Sequence, residues 1–123
     1  MDYSKLSDFE INRVVAITLG FPPDDCDIAK RGSSLVGVEW NEDTGYATKV
    51  FDYCNNAADA LPIITRSLIA LRPVEKYVGG HRWFASTGDG EDEMIYADDN
   101  PLRAAMCLFL MMKESANVQD NPA

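Results

Sequence analysis

The stretch from Asn100 to Met112, Asn-Pro-Leu-Arg-Ala-Ala-Met-Cys-Leu-Phe-Leu-Met-Met, constrains the fold most, because it signals a helix start and then runs nine apolar residues without a break. Asn100 can cap the helix, and Pro101 at its first position brings a preset φ and lacks only an N–H that no helical carbonyl would accept. Asp98 and Asp99 lie just upstream, where carboxylates favour the positive end of the helix dipole. The run from Ala104 to Met112 falls far short of the ~20 residues needed to cross a bilayer, so protein has to cover it on nearly every side. It marks a buried C-terminal helix and the centre of a core.

Arg103 breaks a local rule in that helix. At the third helical position a cation faces the positive end of the dipole, at a cost of ~0.3–1 kcal/mol. An ion pair should offset this, with Asp98 or Asp99 nearby in sequence or Asp52 or Asp59 brought near by folding, because a guanidinium fork suits a carboxylate. The expectation is that Arg103 ties the Asp52 to Asp59 segment to the final helix.

With 123 residues, the chain suits one domain, 1–123, with a core large enough to need no staples, and 115–123 is expected to be a flexible tail. The opening Met-Asp-Tyr-Ser-Lys-Leu-Ser-Asp has neither the basic flank nor the apolar run of a signal peptide, so the protein is expected to stay where it is made. Cys26, Cys54 and Cys107 are odd in number and widely spaced, which suits reduced thiols in a cytoplasm better than a disulfide scaffold. Twenty acids against eleven Lys and Arg give a net charge of −9. Without a basic stripe, that balance argues against binding duplex DNA. Six acids and no base lie between Ser86 and Asn100; the ordinary reading is a solvated loop, and the sharper one is a face that imitates DNA.

Along the chain, Ser7 and Glu10 form a capping-box pattern for a helix from Asp8 to Leu19, with an apolar stripe through Phe9, Val14, Ile17 and Leu19 and a stop at Gly20. Pro22 to Ser34 reads as an irregular excursion with few anchoring residues. Ser34 to Trp40 and Tyr46 to Phe51 form a hairpin around the Asn41–Gly45 turn. Asn55 or Asn56 can cap a second helix presenting Ala57, Ala60, Leu61 and Ile64, which Pro62 should kink or keep short. Leu68 to Leu71 is a strand or that helix's last turn. Arg82 to Ser86 and Met94 to Ala97 read as strands joined by the acidic loop 87–93. This order gives an α/β (α+β) domain: an antiparallel sheet covered by helices, with the C-terminal helix buried.

Catalytic patterns are sparse. Cys54 precedes a helix start, a position that lowers a thiol pKa, and His81, the only histidine, follows Gly79-Gly80, so a nucleophile and base pair of the two is conceivable, with no recognisable third group to orient it. The three cysteines and one histidine lack zinc-ligand spacing, residues 89–93 lack the EF-hand register, and acids follow Gly88 and Gly90 where a nucleotide phosphate would sit. No cofactor or metal is implied. Trp40, Tyr46, Tyr53, Trp83, Phe84 and Tyr96 fall in strand-like segments, where core packing is the ordinary role. The apolar final helix suggests a homodimer, because a domain this small could leave one of its sides uncovered.

Three segments together resemble the NinX-like family of lambdoid bacteriophages: the opening Met-Asp-Tyr-Ser-Lys-Leu-Ser-Asp-Phe-Glu-Ile-Asn, Asp-Tyr-Cys-Asn-Asn-Ala-Ala-Asp-Ala-Leu-Pro-Ile-Ile at 52–64, and Asn-Pro-Leu-Arg-Ala-Ala-Met at 100–106. The family usually has Pro where Ala57 stands and Trp where Leu61 stands. The element order is also similar to phage α-β-α sandwich domains. The signature positions are Tyr53, Cys54, Asn55, Asn56, Asp59, Asn100, Pro101 and Arg103. The resemblance implies a small phage accessory protein of uncharacterised activity in the host cytoplasm. The expected role is a non-enzymatic module that binds a host or phage protein, with no membrane and no duplex DNA as partner. The alternatives are an acidic DNA-mimic inhibitor and a thiol-dependent hydrolase using Cys54 and His81.

Overall fold

The structure, a computed structural model, describes residues 1–88 and 93–119. After a 3-10 turn at Tyr3–Lys5 come α1 (Asp8–Thr18), a second 3-10 turn (Pro23–Asp25), β1 (Asp27–Ile28), β2 (Val36–Trp40), β3 (Ala47–Phe51), α2 (Ala57–Arg66), β4 (Ala70–Glu75), β5 (His81–Thr87), β6 (Met94–Asp98) and α3 (Pro101–Gln119). The strands form two three-stranded antiparallel sheets, β1-β2-β3 and β4-β5-β6, rather than one. Pro73 is tolerated because β4 is an edge strand of its sheet.

α3 packs against β5 and β6 and against α1 and α2. Every residue from Ala104 to Leu110 is buried, as a helix apolar all round requires. The chain therefore covers this helix by itself, which removes the reason for expecting a homodimer through it. Helical backbone continues to Gln119, five residues into the segment assigned to a tail, while 120–123 lie outside the described residues. Residues 89–92 of the acidic loop also lie outside them.

The capping box at α1 is present: Ser7 Oγ accepts from Glu10 N, and Glu10 Oε1 accepts from Ser7 N, both at 3.1 Å. The buried face of α1 is Ile11, Asn12, Val15 and Ala16. Phe9, Val14 and Ile17 flank it half-buried, and Leu19 is exposed. None of the expected stripe residues lies on the fully buried face, which includes a polar residue, Asn12. The excursion from Pro22 to Ser34 is anchored, contrary to the sequence reading. Arg13 donates to the carbonyls of Cys26 and Pro23 at 2.9 and 3.1 Å, and Trp40 Nε1 donates to Asp25 O at 2.7 Å. The Trp40 indole covers Gly37, where a Cβ would stand only 2.7 Å from Cζ2.

Asn56 caps α2, its Oδ1 accepting from Ala58 N at 2.9 Å, and the helix is short, ten residues with Pro62 inside. Its buried face is Ala60, Ile63 and Ile64. Ala57 and Leu61 are exposed, so only half of the expected face holds. Leu68 then ends the helix in the left-handed region at φ +56°. Ile69 N donates to Ile64 O and Leu68 N to Thr65 O at 3.0 and 3.2 Å, a Schellman closure that normally calls for glycine. The backbone reversal at Leu68 separates helix from strand, and β4 begins two residues later. Leu68→Gly is therefore expected to raise stability by about 1 kcal/mol, roughly 4 °C in the thermal midpoint, measurable by calorimetry.

Candidate functional site

Two features stand out: a partly buried polar network and an apolar surface groove. The network joins the N-terminal turn, α1, the approach to β2, residues 52–56 and the start of α3. Asn100 is its hub. Its Oδ1 accepts from Leu102 N and Arg103 N at 2.9 and 3.2 Å, capping α3, while its Nδ2 donates to Cys54 O at 2.7 Å and Asn55 Oδ1 at 3.1 Å. Asn55 Nδ2 donates to Asp8 Oδ2 and Asp52 Oδ1, both at 3.1 Å. Asn12 is wholly buried. Its Nδ2 donates to Ser34 O and Asp52 Oδ1 at 2.8 Å each, and its Oδ1 accepts from Cys54 N at 3.0 Å.

Arg103 bonds to residues outside the Asp52 to Asp59 segment. Its Nε donates to Asp98 Oδ2 at 3.2 Å, Nη1 to Asp8 Oδ1 at 2.6 Å, and Nη2 to the carbonyls of Tyr3 and Leu6 at 2.9 and 2.6 Å. Burial opposes its charge, but the hydrogen bond it donates to Asp8 and neighbouring charges raise its pKa above the ordinary value. Of the expected carboxylates only Asp98 pairs with it. Asp52 is engaged with Asn12 and with Ser34 Oγ at 2.7 Å, Asp59 accepts from Asp52 N at 2.9 Å, and Asp99 pairs with Lys76 and Arg82. The tie between residues 52–56 and α3 exists, but Asn100 makes it. Among the described residues no buried side-chain polar atom lacks a partner, so the network closes on itself and leaves no group aimed at a ligand.

The thiol expectation fails. Cys54 is fully buried, and burial followed by the Asp8 carboxylate pushes its pKa up, the reverse of a helix-start thiolate. Its thiol contacts Asp8 O at 3.9 Å, whereas His81 is exposed on β5. Burial likewise raises Cys107 to about 11. Tyr53 is buried and stacks on Phe51 with ring centres 5.2 Å apart, Tyr46 is 74% exposed, and Trp40, Trp83, Phe84 and Tyr96 are half-buried. Core packing thus describes Tyr53 and does not describe Tyr46.

The groove lies where α1 ends, against α2 and the outer turns of α3. Its narrower part, about 300 Å³, is walled by Phe21, Phe51, Tyr53 and Pro62. Its wider part, about 500 Å³, runs past Leu68, Met112 and Lys113. Both parts share Leu19, Arg66, Ser67 and Phe109 as a common wall. Leu68 is 81% exposed at the wide end. An apolar concavity with a few polar groups is the ordinary form of a binding site. Sequence reasoning missed this groove, because its residues come from four elements and share no periodicity. It also missed Asn12, whose signal was a lone amide between Ile11 and Val15.

The molecule is thus an α+β domain in which Asn55, Asn100 and Arg103 are engaged in internal ties, while Tyr53 and Asp59 line an apolar groove. The chain belongs to the bacteriophage P22 NinX family, whose model matches residues 2–113, and so it stands among phage accessory proteins. Comparison with curated proteins and with solved structures finds no match. Among the described residues no helix is long and apolar enough to cross a membrane.

Proposed function

We propose that this phage accessory protein acts in the host cytoplasm as a non-enzymatic interaction module, and that its groove receives part of a host or phage protein. The observation that carries the reading is Leu68, apolar, 81% exposed and held at φ +56° beside an aromatic groove. Solvent and backbone both disfavour leucine there, so a contact made outside the free chain is the natural reason for it. The closed polar network supports a division of labour: Asn12, Asn55, Asn100 and Arg103 maintain the fold, and the neighbouring groove does the binding.

The double variant Leu19→Gln/Leu68→Asn tests this, because both side chains are exposed and asparagine tolerates the left-handed region. It is expected to melt within about 3 °C of the natural chain, as surface substitutions usually do, and to lose a protein that the tagged natural chain captures from infected cells. Identical captured sets from the two baits would refute the reading.

A further inference from the structure

We propose that the groove selects acidic apolar segments: its occupant is a stretch of another protein in which large apolar anchors are flanked by Asp or Glu. This rests on the docking role above and adds the chemistry of the partner. The chain carries a net charge of −9, so most of its surface repels an acidic segment, and attraction has to be local. Three cations supply it. Arg66 ends α2 and lines both parts of the groove. Lys113 lines the wider part, its ammonium 5.5 Å from the centre of the Phe109 ring, and Lys49 stands 6.0 Å from the ring of Phe21 in the narrower part.

Among the described residues none of these three cations lies within 4.0 Å of a carboxylate, whereas Lys5, Lys76, Arg82 and Arg103 all do. The one carboxylate lining the groove there, Asp59, is turned to the start of α2 and accepts from Asp52 N at 2.9 Å. An apolar floor with a cationic rim on an acidic molecule attracts segments of the opposite charge and rejects basic ones. A nucleic-acid strand fits less well: it brings a phosphate with every nucleotide, and its affinity grows with the number of phosphates neutralised. Three cations serve a segment with two or three acids and leave its apolar anchors to fill the floor.

Selection of random 12-residue peptides on the full chain tests the proposal, with a 30-nucleotide single strand as competitor. Enriched peptides are expected to combine two or three large apolar residues with net negative charge. They should bind about tenfold more weakly to Arg66→Glu/Lys113→Glu, the scale of losing about one good charge contact, and bind as strongly to the control Arg72→Glu on β4. Enriched peptides that are neutral or basic, yet weakened by Leu19→Gln/Leu68→Asn, would overturn the charge assignment and leave the docking role standing. Enriched peptides indifferent to both groove variants, or no enrichment at all, would overturn both. Displacement by the oligonucleotide at physiological salt would make the groove a nucleic-acid site and overturn the proposal.

Discussion

Arg103→Met is expected to lower the unfolding free energy by about 3 kcal/mol, the lower end for removing one partner of a buried ion pair, and the thermal midpoint by roughly 10 °C. The arginine side chain is 11% exposed and holds Asp98, Asp8 and two carbonyls. Methionine fills comparable space but leaves two carboxylates without their cation and the Leu6 carbonyl without this donor, while the Tyr3 carbonyl keeps only the Leu6 N–H at 3.1 Å. Asp8 is 36% exposed, so water relieves part of the penalty, which is why the lower end applies. Arg103→Lys should fall between the two, because one ammonium cannot serve four acceptors spread around a planar fork. Urea unfolding, with its slope unchanged, measures both losses.

Asn12→Leu should cost about 3 kcal/mol, since Ser34 O and Cys54 N–H are each left without their side-chain partner and each such buried group costs ~1–3 kcal/mol. Asn12→Asp gives a sharper signature. A carboxylate in that place replaces two N–H donors with an oxygen facing Ser34 O and Asp52 Oδ1, which lie 2.8 Å from the present nitrogen. Burial and the neighbouring acid would hold the new group's folded pKa above its unfolded value of ~3.9. A group raised in this way binds more protons folded than unfolded between those two values. The variant's deficit against the natural chain is therefore small below about pH 4 and grows as pH rises toward 7. A deficit independent of pH would contradict the placement of Asn12 beside Asp52.

What the sequence made legible was local. The capping box at Ser7 and Glu10, the cap at Asn100, the hairpin of β2 and β3 and the burial of α3 each rest on neighbours in the chain, whose geometry a few residues decide. Of the partners of Arg103, Asp98 was legible from its place just upstream, whereas Asp8 was not, because it stands 95 positions away and nothing at position 8 except its charge marks it as a partner. Asn12 hid for a similar reason: a buried amide is distinguished from an exposed one only by the acceptors and donors that folding brings to it. The end of α2 before β4 rests on the left-handed reversal at Leu68, a position where the residue type argues against the conformation adopted. The groove exists only after α1, β3, α2 and α3 are assembled.

The central claim is that the polar network around Asn100 holds the fold and the groove does the binding. Its most direct test measures melting temperature and partner capture from infected cells for two variants of the full chain. One is Leu19→Gln/Leu68→Asn in the groove, and the other is Asn55→Ala, which removes an exposed member of the network bonded to Asp8, Asp52 and Asn100. The groove variant is expected to melt near the natural chain and to lose its partner. Asn55→Ala should melt roughly 4 °C lower, for the loss of about 1 kcal/mol of hydrogen bonding, and still capture the partner at temperatures where it is folded. Capture lost in Asn55→Ala at an unchanged melting temperature, together with capture retained by the groove variant, would contradict the account and place the binding site on the family signature.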